Sequence, residues 1–255
     1  MLREELGELL DYHRELDSTN KRARDLGNRQ APDGMVVVTD VQTKGVGRRG
    51  RGWEGEPGKN ISMSVLLYPK IAPNEAPMLT LVMALAVVKA IKKVTGIQTK
   101  IKWPNDIIAG HKKLCGILTE MKMAENQVKY VVIGVGLNTN QVEFSPEVKD
   151  KATSLAKIKK QSFNKEELIL EILRTFEPYY NHFLEELSLN SLKEEYNKLL
   201  INKDKRLRIK EEYEEYEAYG IGINDAGHLL VGLDNGTTKE LLAGEVSVRG
   251  LFGYV

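Results

Sequence analysis

A single cysteine, Cys115, stands among 255 residues. This excludes a disulfide framework within the chain and any thiol-based metal site in one chain. The four histidines, His13, His111, His182 and His228, lie too far apart to show metal-ligand spacing. Long apolar runs are missing as well. The most apolar stretch, Met78 to Val88, is too short to span a bilayer and runs into Lys89, Lys92 and Lys93. The opening residues, M-L-R-E-E-L-G-E-L-L, are amphipathic and acidic and have no signal-peptide core. Nor is there an excess of charge: 37 Lys and Arg face 36 Asp and Glu, for a net +1. That balance argues against a general nucleic-acid surface. A cytoplasmic globular protein is expected, with no membrane partner, built as one large domain or as a domain with a small appendage.

Where charge does concentrate is one loop, Gln42 to Trp53, reading Q-T-K-G-V-G-R-R-G-R-G-W. Four glycines free its backbone, and Lys44, Arg48, Arg49 and Arg51 make it cationic. Strand-like flanks hold it, Met35 to Thr39 before and Ile61 to Tyr68 after. Three readings stay open at this level: a lid over a small anion, an RNA-tracking Gly/Arg segment, and a solvated hairpin loop. It is neither a Walker loop nor a dinucleotide fingerprint, lacking G-x-x-x-x-G-K-[ST] and opening no helix.

Along the chain, residues 1–16 read as a short lead into Asp17-Ser18-Thr19-Asn20, a polar quartet at a helix start. These side chains either cap the helix or face a ligand, and no capping-box partner claims them. A buried helix is expected from Met78 to Thr95, ended by Gly96. Lys100 to Lys102 reads as a short strand before Trp103-Pro104-Asn105-Asp106, and Ile107 to Lys113 as a hairpin. Lys112 and Lys113 are either turn residues or drawn inward to an anionic partner. The two tryptophans, Trp53 and Trp103, both adjoin polar motif residues, so each is either core or a stacking plate. Gln127 to Val135 is a strand, and Gly134 and Gly136 near its end leave a gap beside Asn138. Asn164 opens a helix that Pro178 should kink or split; Leu192 to Leu200 is a shorter one. After Lys203 short strands predominate: 206–211, 216–223, 229–233 and 245–249. They predict a small barrel of SH3 size and a domain boundary near residue 202.

Taken in order, S-T-N, Q-x-x-G-x-G-R-R-G-R-x-W, K-W-P-N-D, K-L-x-G-I-L-x-E, G-V-G-L-N and the late G-E-V-S-V-R-G resemble the biotin protein ligases. The resemblance runs from Asp17 to about Arg249. It implies an α+β protein: a mixed-sheet catalytic domain of the biotin/lipoate ligase type, 1–202, followed by an SH3-like β-barrel, 203–255. It also implies the chemistry, ATP-dependent activation of biotin to biotinyl-5′-AMP with release of pyrophosphate. Biotin then passes to a lysine of a biotin carboxyl carrier protein. A lipoate or octanoate ligase or transferase of the same fold is the alternative.

By that resemblance Arg48, Lys113 and Arg51 are the catalytic cations. Ser18, Thr19, Asn20, Gln42, Val46, Gly47, Arg48, Lys113, Gly116, Ile117, Gly134 and Gly136 bind biotin. Arg48, Arg51, Trp53, Lys102, Asn105, Lys113 and Asn138 bind ATP, which brings Mg2+; metal ligands are not identified, and Asp106 is a supporting or metal-linked candidate. Two departures matter. The family commonly carries Arg where Val46 stands, and only 17 residues precede Ser18, too few for the DNA-binding domain of repressor-type members. No DNA partner is therefore expected. Monomer and homodimer both remain open.

Overall fold

The computed structural model describes residues 9–243 and 246–250. Glu245, expected to open the last strand, lies outside the described residues, as does most of the acidic N-terminal stretch. Twelve strands form two sheets among the described residues. The larger contains β1 (Leu10–Leu16), β2 (Val36–Gln42), β3 (Ile61–Leu67), β4 (Lys100–Lys102), β5 (Asp106–Ala109), β6 (Lys112–Ala124) and β7 (Gln127–Leu137). Its order is β1-β2-β3-β7-β6-β5-β4, with β1 and β2 parallel and the other pairs antiparallel.

Register lets two chemically different faces be read from these strands. Ile61, Met63, Val65 and Leu67 of β3 share one face with Val131, Ile133, Val135 and Leu137 of β7. Helices α2 (Met78–Thr95) and α4 (Lys165–Glu186) pack over that apolar face in one continuous core. Burial of every residue from Met78 to Val88 explains why that part of α2 is apolar almost all round. Gly96, left-handed at φ 69°, ends α2 as expected.

The opposite face carries two lateral rows, the first of small or polar residues throughout and the second with Ser64 and Gly134 at its middle between Val37 and Leu118. One runs Thr39, Ser62, Gly136, Gly116, Asp106, Lys102 across six strands. The next runs Val37, Ser64, Gly134, Leu118. Beyond these rows the face becomes apolar again, and α1 (Thr19–Asn28) covers it through Ala23 against Val37, Leu66, Tyr130 and Val132. Thus α1 shields half of this face and brings its own N-terminus to the edge of the small-residue rows.

The second sheet is antiparallel, β8 (Arg206–Lys210), β9 (Glu215–Ile223), β10 (Leu229–Gly232), β11 (Thr238–Leu241) and β12 (Ser247–Gly250), in the order β11-β10-β9-β8-β12. It is the sheet expected of an SH3-like unit, although no ladder joins β11 to β12 among the described residues. Trp103 ties the two sheets together. Its indole N–H donates to the Gly227 carbonyl at 3.0 Å and its backbone N–H to Asn202 Oδ1 at 2.8 Å.

Several sequence expectations change. Residues 10–16 are a strand rather than a lead-in, paired with β2 because its partner edge is otherwise bare. Strand β11 was not expected; T-K-E-L offers too little alternation to announce itself. Two short helices, α3 (Leu155–Lys159) and α5 (Lys193–Leu199), complete the chain; α3 was unassigned. Pro178 does not split α4, which continues from Lys165 to Glu186 on an amphipathic face anchored by Leu173, Phe176, Tyr180 and Phe183. Packing on both sides of the proline outweighs the lost hydrogen bond.

Candidate active site

A cleft opens over the small-residue rows. The N-terminus of α1 supplies one wall. Ser18 is the N-cap, its hydroxyl accepting from Lys21 N–H at 3.5 Å, while Ser18, Thr19 and Asn20 all line the cleft. Capping and ligand-facing are therefore compatible, because a hydroxyl has further hydrogen-bonding capacity. Gln42, at the end of β2, accepts at Oε1 from the Thr19 N–H at 2.9 Å and the Thr19 hydroxyl at 3.2 Å. Its Nε2 donates to Ser62 Oγ at 3.4 Å.

The floor is bare for a reason. A Cβ at Gly134 would lie 2.1 Å from Asn20 Oδ1, and one at Gly136 would lie 2.5 Å from the Trp53 ring. Any larger residue at either position expels a side chain of the cleft itself.

The Gly/Arg loop forms the roof. Val46 and Gly52 pair across its neck, and Arg48 to Gly50 form a single tight turn at its tip. Val46, Gly47, Arg48 and Trp53 line the cleft, whereas Arg51 is exposed at the loop's outer side. The Arg48 guanidinium donates to the Ala243 carbonyl and, at 3.4 Å, to Asn105 Oδ1. Burial pushes Arg48 below its ordinary value, but a guanidinium keeps its charge. Among the described residues its hydrogen-bond partners are neutral, an arrangement suited to an incoming anion.

Lys113 opens β6 and turns inward. Its ammonium pairs with Asp106 Oδ1 at 2.6 Å and lies 5.5 Å from the centre of the Trp53 ring. The anionic partner that an inward lysine requires is thus Asp106, two strands' ends brought together by the Gly110-His111 hairpin. Lys102 stands opposite Asp106 on β4. Burial lowers its pKa to about 8, with Asp106 acting against that shift and Lys113, Arg249 and Arg51 adding to it. One carboxylate therefore sits amid converging cations.

The remaining expected residues divide. Asn105, Gly116 and Ile117 line the cleft, Gly116 directly beneath Lys113 and Trp53. Lys102, Arg51 and Asn138 do not. Asn138 is buried, its side chain donating to the Thr153 carbonyl at 3.0 Å. The two tryptophans separate cleanly: Trp103 is core, at 2% exposure, and Trp53 is roof. The Trp53 Nε1 is buried with no hydrogen-bond partner among the described residues. Sequence reasoning passed over Ser62 and Ser64, which hydrogen-bond to the lining residues Gln42 and Asn20, and the lining residues Met63, Leu118 and Val135. The I-S-M-S alternation in β3 was the available signal for the serines, obscured by the apolar run that follows.

The biotin/lipoate A/B protein ligase family model matches residues 12–138, which span the loop, the α1 N-terminus and both glycine strands. The bifunctional ligase/repressor BirA of Bacillus subtilis is 39% identical over 238 residues, covering 92% of this chain and 73% of that protein. The chain belongs to this family. A biotin--[acetyl-CoA-carboxylase] ligase of Mycobacterium tuberculosis is 35% identical over 149 residues, 57% of this chain and 53% of that one. A solved biotin protein ligase from Aquifex aeolicus, in complex with biotin and ATP, superposes with a TM-score of 0.82 at 30% identity. It covers 94% of this chain and 98% of that one. In this family member, then, the α1 wall, the bare floor and the cationic roof form a single cleft.

Proposed function

We propose that this cleft performs the reaction of an ATP-dependent biotin–protein ligase, with 1–202 as the catalytic part and 203–255 as the C-terminal barrel. The observation that carries the reading is one cleft lined both by the cations Arg48 and Lys113 and by the neutral polar side chains of Ser18, Thr19, Asn20 and Gln42. Biotin has that same polarity, with a ureido ring at one end and a carboxylate at the other. The ring lies against Ser18, Thr19, Asn20 and Gln42, and the carboxylate reaches the cations.

In the first step a biotin carboxylate oxygen attacks the α-phosphorus of ATP, forming the acyl phosphate bond as pyrophosphate leaves. Charge builds on the phosphoryl oxygens, where Arg48 and Lys113 stabilise it without having to reorganise. Arg51 and Lys102 meet the outer phosphates, Asn105 and Trp53 the nucleoside, and Asn138 supports the wall through Thr153. Mg2+ would enter as the metal of MgATP and would supply charge neutralisation on the phosphates. In the second step a carrier lysine amine attacks the acyl carbon and AMP leaves with the bonding pair. The roof excludes water from the mixed anhydride meanwhile.

The name of the Mycobacterium tuberculosis relative and the biotin complex of the Aquifex aeolicus structure favour biotin over lipoate, and the former name supports a biotin carboxyl carrier protein as the acceptor. No helix among the described residues is long and apolar enough to cross a membrane; a cytoplasmic location is part of the proposal. The test is incubation with MgATP, biotin and a biotin carboxyl carrier domain, followed by intact-mass measurement. A single biotinyl addition at one lysine is expected; an unmodified carrier, or a lipoyl addition when lipoate is supplied instead, overturns the reading.

A further inference from the structure

The K-L-x-G-I-L-x-E motif ends in Glu120, a residue that neither half-reaction uses. Glu120 lies on the site face of β6, opposite Val132 of β7. One carboxylate oxygen accepts from the Asn20 side-chain amide, Nδ2 to Oε2, at 2.7 Å, while the other pairs with Arg24. Arg24 is four residues beyond Asn20 on α1, so it emerges one turn along the same face. The second Asn20 N–H points to the Leu118 carbonyl at 3.3 Å. At its other end, Asn20 Oδ1 accepts from the Ser64 hydroxyl at 2.6 Å; the one Ser64 proton goes there because Thr19 Oγ1, 2.8 Å from the same hydroxyl, has a proton of its own to donate.

An amide can sit in either of two flipped orientations of almost identical shape, and its partners decide which. A carboxylate paired with arginine only accepts, so the amide edge facing Glu120 must be NH2. Both Asn20 donors are then spent on protein, whereas Oδ1 has one lone pair taken by Ser64 and a second remaining. Asn20 lines the cleft, and so presents an acceptor to whatever enters.

We infer that Glu120, seated by Arg24, is a positioning residue that locks Asn20 as a hydrogen-bond acceptor and thereby selects a ligand ring bearing an N–H at that point. This rests on the reading of the cleft as a biotin site. Both ureido nitrogens of biotin carry such a hydrogen, and the dithiolane ring of lipoate carries none. Discrimination between the two acids is thus set partly outside the cleft, by an ion pair on its outer flank.

The test measures dissociation constants of biotin and of its two N-methyl derivatives, one per ureido nitrogen, for wild type, Glu120→Gln, Glu120→Asp and Arg24→Gln. Wild-type protein should bind biotin and lose affinity for one derivative. Glu120→Gln, which can donate as well as accept, should weaken biotin by about tenfold, the scale of a charge-assisted hydrogen bond. It should also shrink the penalty for the methylated nitrogen, while the KM for ATP and the thermal midpoint stay near wild type. Glu120→Asp should recover part of the loss, and Arg24→Gln should show a smaller one, because that pair is half exposed. Equal weakening of biotin and both derivatives, or no weakening, would overturn the inference. Absence of biotin binding by wild type would instead overturn the biotin reading itself. Should Glu120→Gln fail to fold, the Arg24→Gln arm carries the same comparison.

Discussion

On β3, Ile61, Met63, Val65 and Leu67 point to one side of the sheet, and Ser62 and Ser64 to the other. On β7, Val131, Ile133, Val135 and Leu137 accompany the first set, and Gly134 and Gly136 the second. The same strands thus present an apolar face sealed under α2 and α4 and a stripped face roofed only by a loop and one helix end. The six ladders of this sheet impose one geometry on both. A rigid floor follows from packing on the far side, so the floor needs no bulky residues of its own. Stability and ligand binding fall mainly on opposite faces, with Met63, Ile117 and Val135 of the apolar set also reaching the cleft lining, and substitutions on each face should produce different kinds of failure.

The largest effect is expected at Lys113. Lys113→Ala removes a cation aimed at the reacting phosphate and should slow adenylate formation about a hundred- to a thousandfold, with thermal midpoint little changed. Pyrophosphate release at the wild-type rate would take Lys113 out of the mechanism. Ile133→Ala, fully buried on the apolar face, should cost about 2–5 kcal/mol in chemical denaturation while biotin affinity of the folded protein holds. A large loss of affinity there would break the separation of the two faces.

Arg48→Gly should come next. It removes the charged clasp between the roof and Ala243 but keeps the loop flexible. The adenylate should escape about tenfold faster, consistent with loss of a charge-assisted contact, and a retained adenylate would contradict the roof's role. The smallest effect concerns pH. Burial lowers the Lys102 pKa from 10.5 to about 8, so between those values the unfolded chain holds more protons than the folded one. Stability from this group therefore rises with pH across about 8 to 10.5, and the penalty for burying the charge is fully present below 8. Lys102→Met should flatten that rise; an unchanged pH slope would mean that Lys102 is not desolvated.

Much of this was legible in the sequence because it depended on local pattern. The α2 span, its Gly96 stop, the strand around Val132 and the cationic loop all follow from periodicity and glycine placement. What escaped depended on register. That Ser62 and Ser64 join Gly134 and Gly136 in one floor is fixed by pairings between strands some seventy residues apart in sequence. That Lys113 meets Asp106, or that Trp53 settles over Gly136, likewise requires knowing which strand ends are neighbours. The ambiguity between the two tryptophans had the same origin. Trp103 and Trp53 have similar polar neighbours in sequence, but only Trp103 lies where the second sheet closes over it.

The most direct test is a single-turnover measurement of pyrophosphate release by the purified protein with MgATP, without a carrier, comparing biotin, lipoate and no added acid. The account predicts a biotin-dependent burst near one equivalent, with adenylate retained on the protein beneath the Arg48 loop. A burst with lipoate alone, or none with either acid, would contradict it.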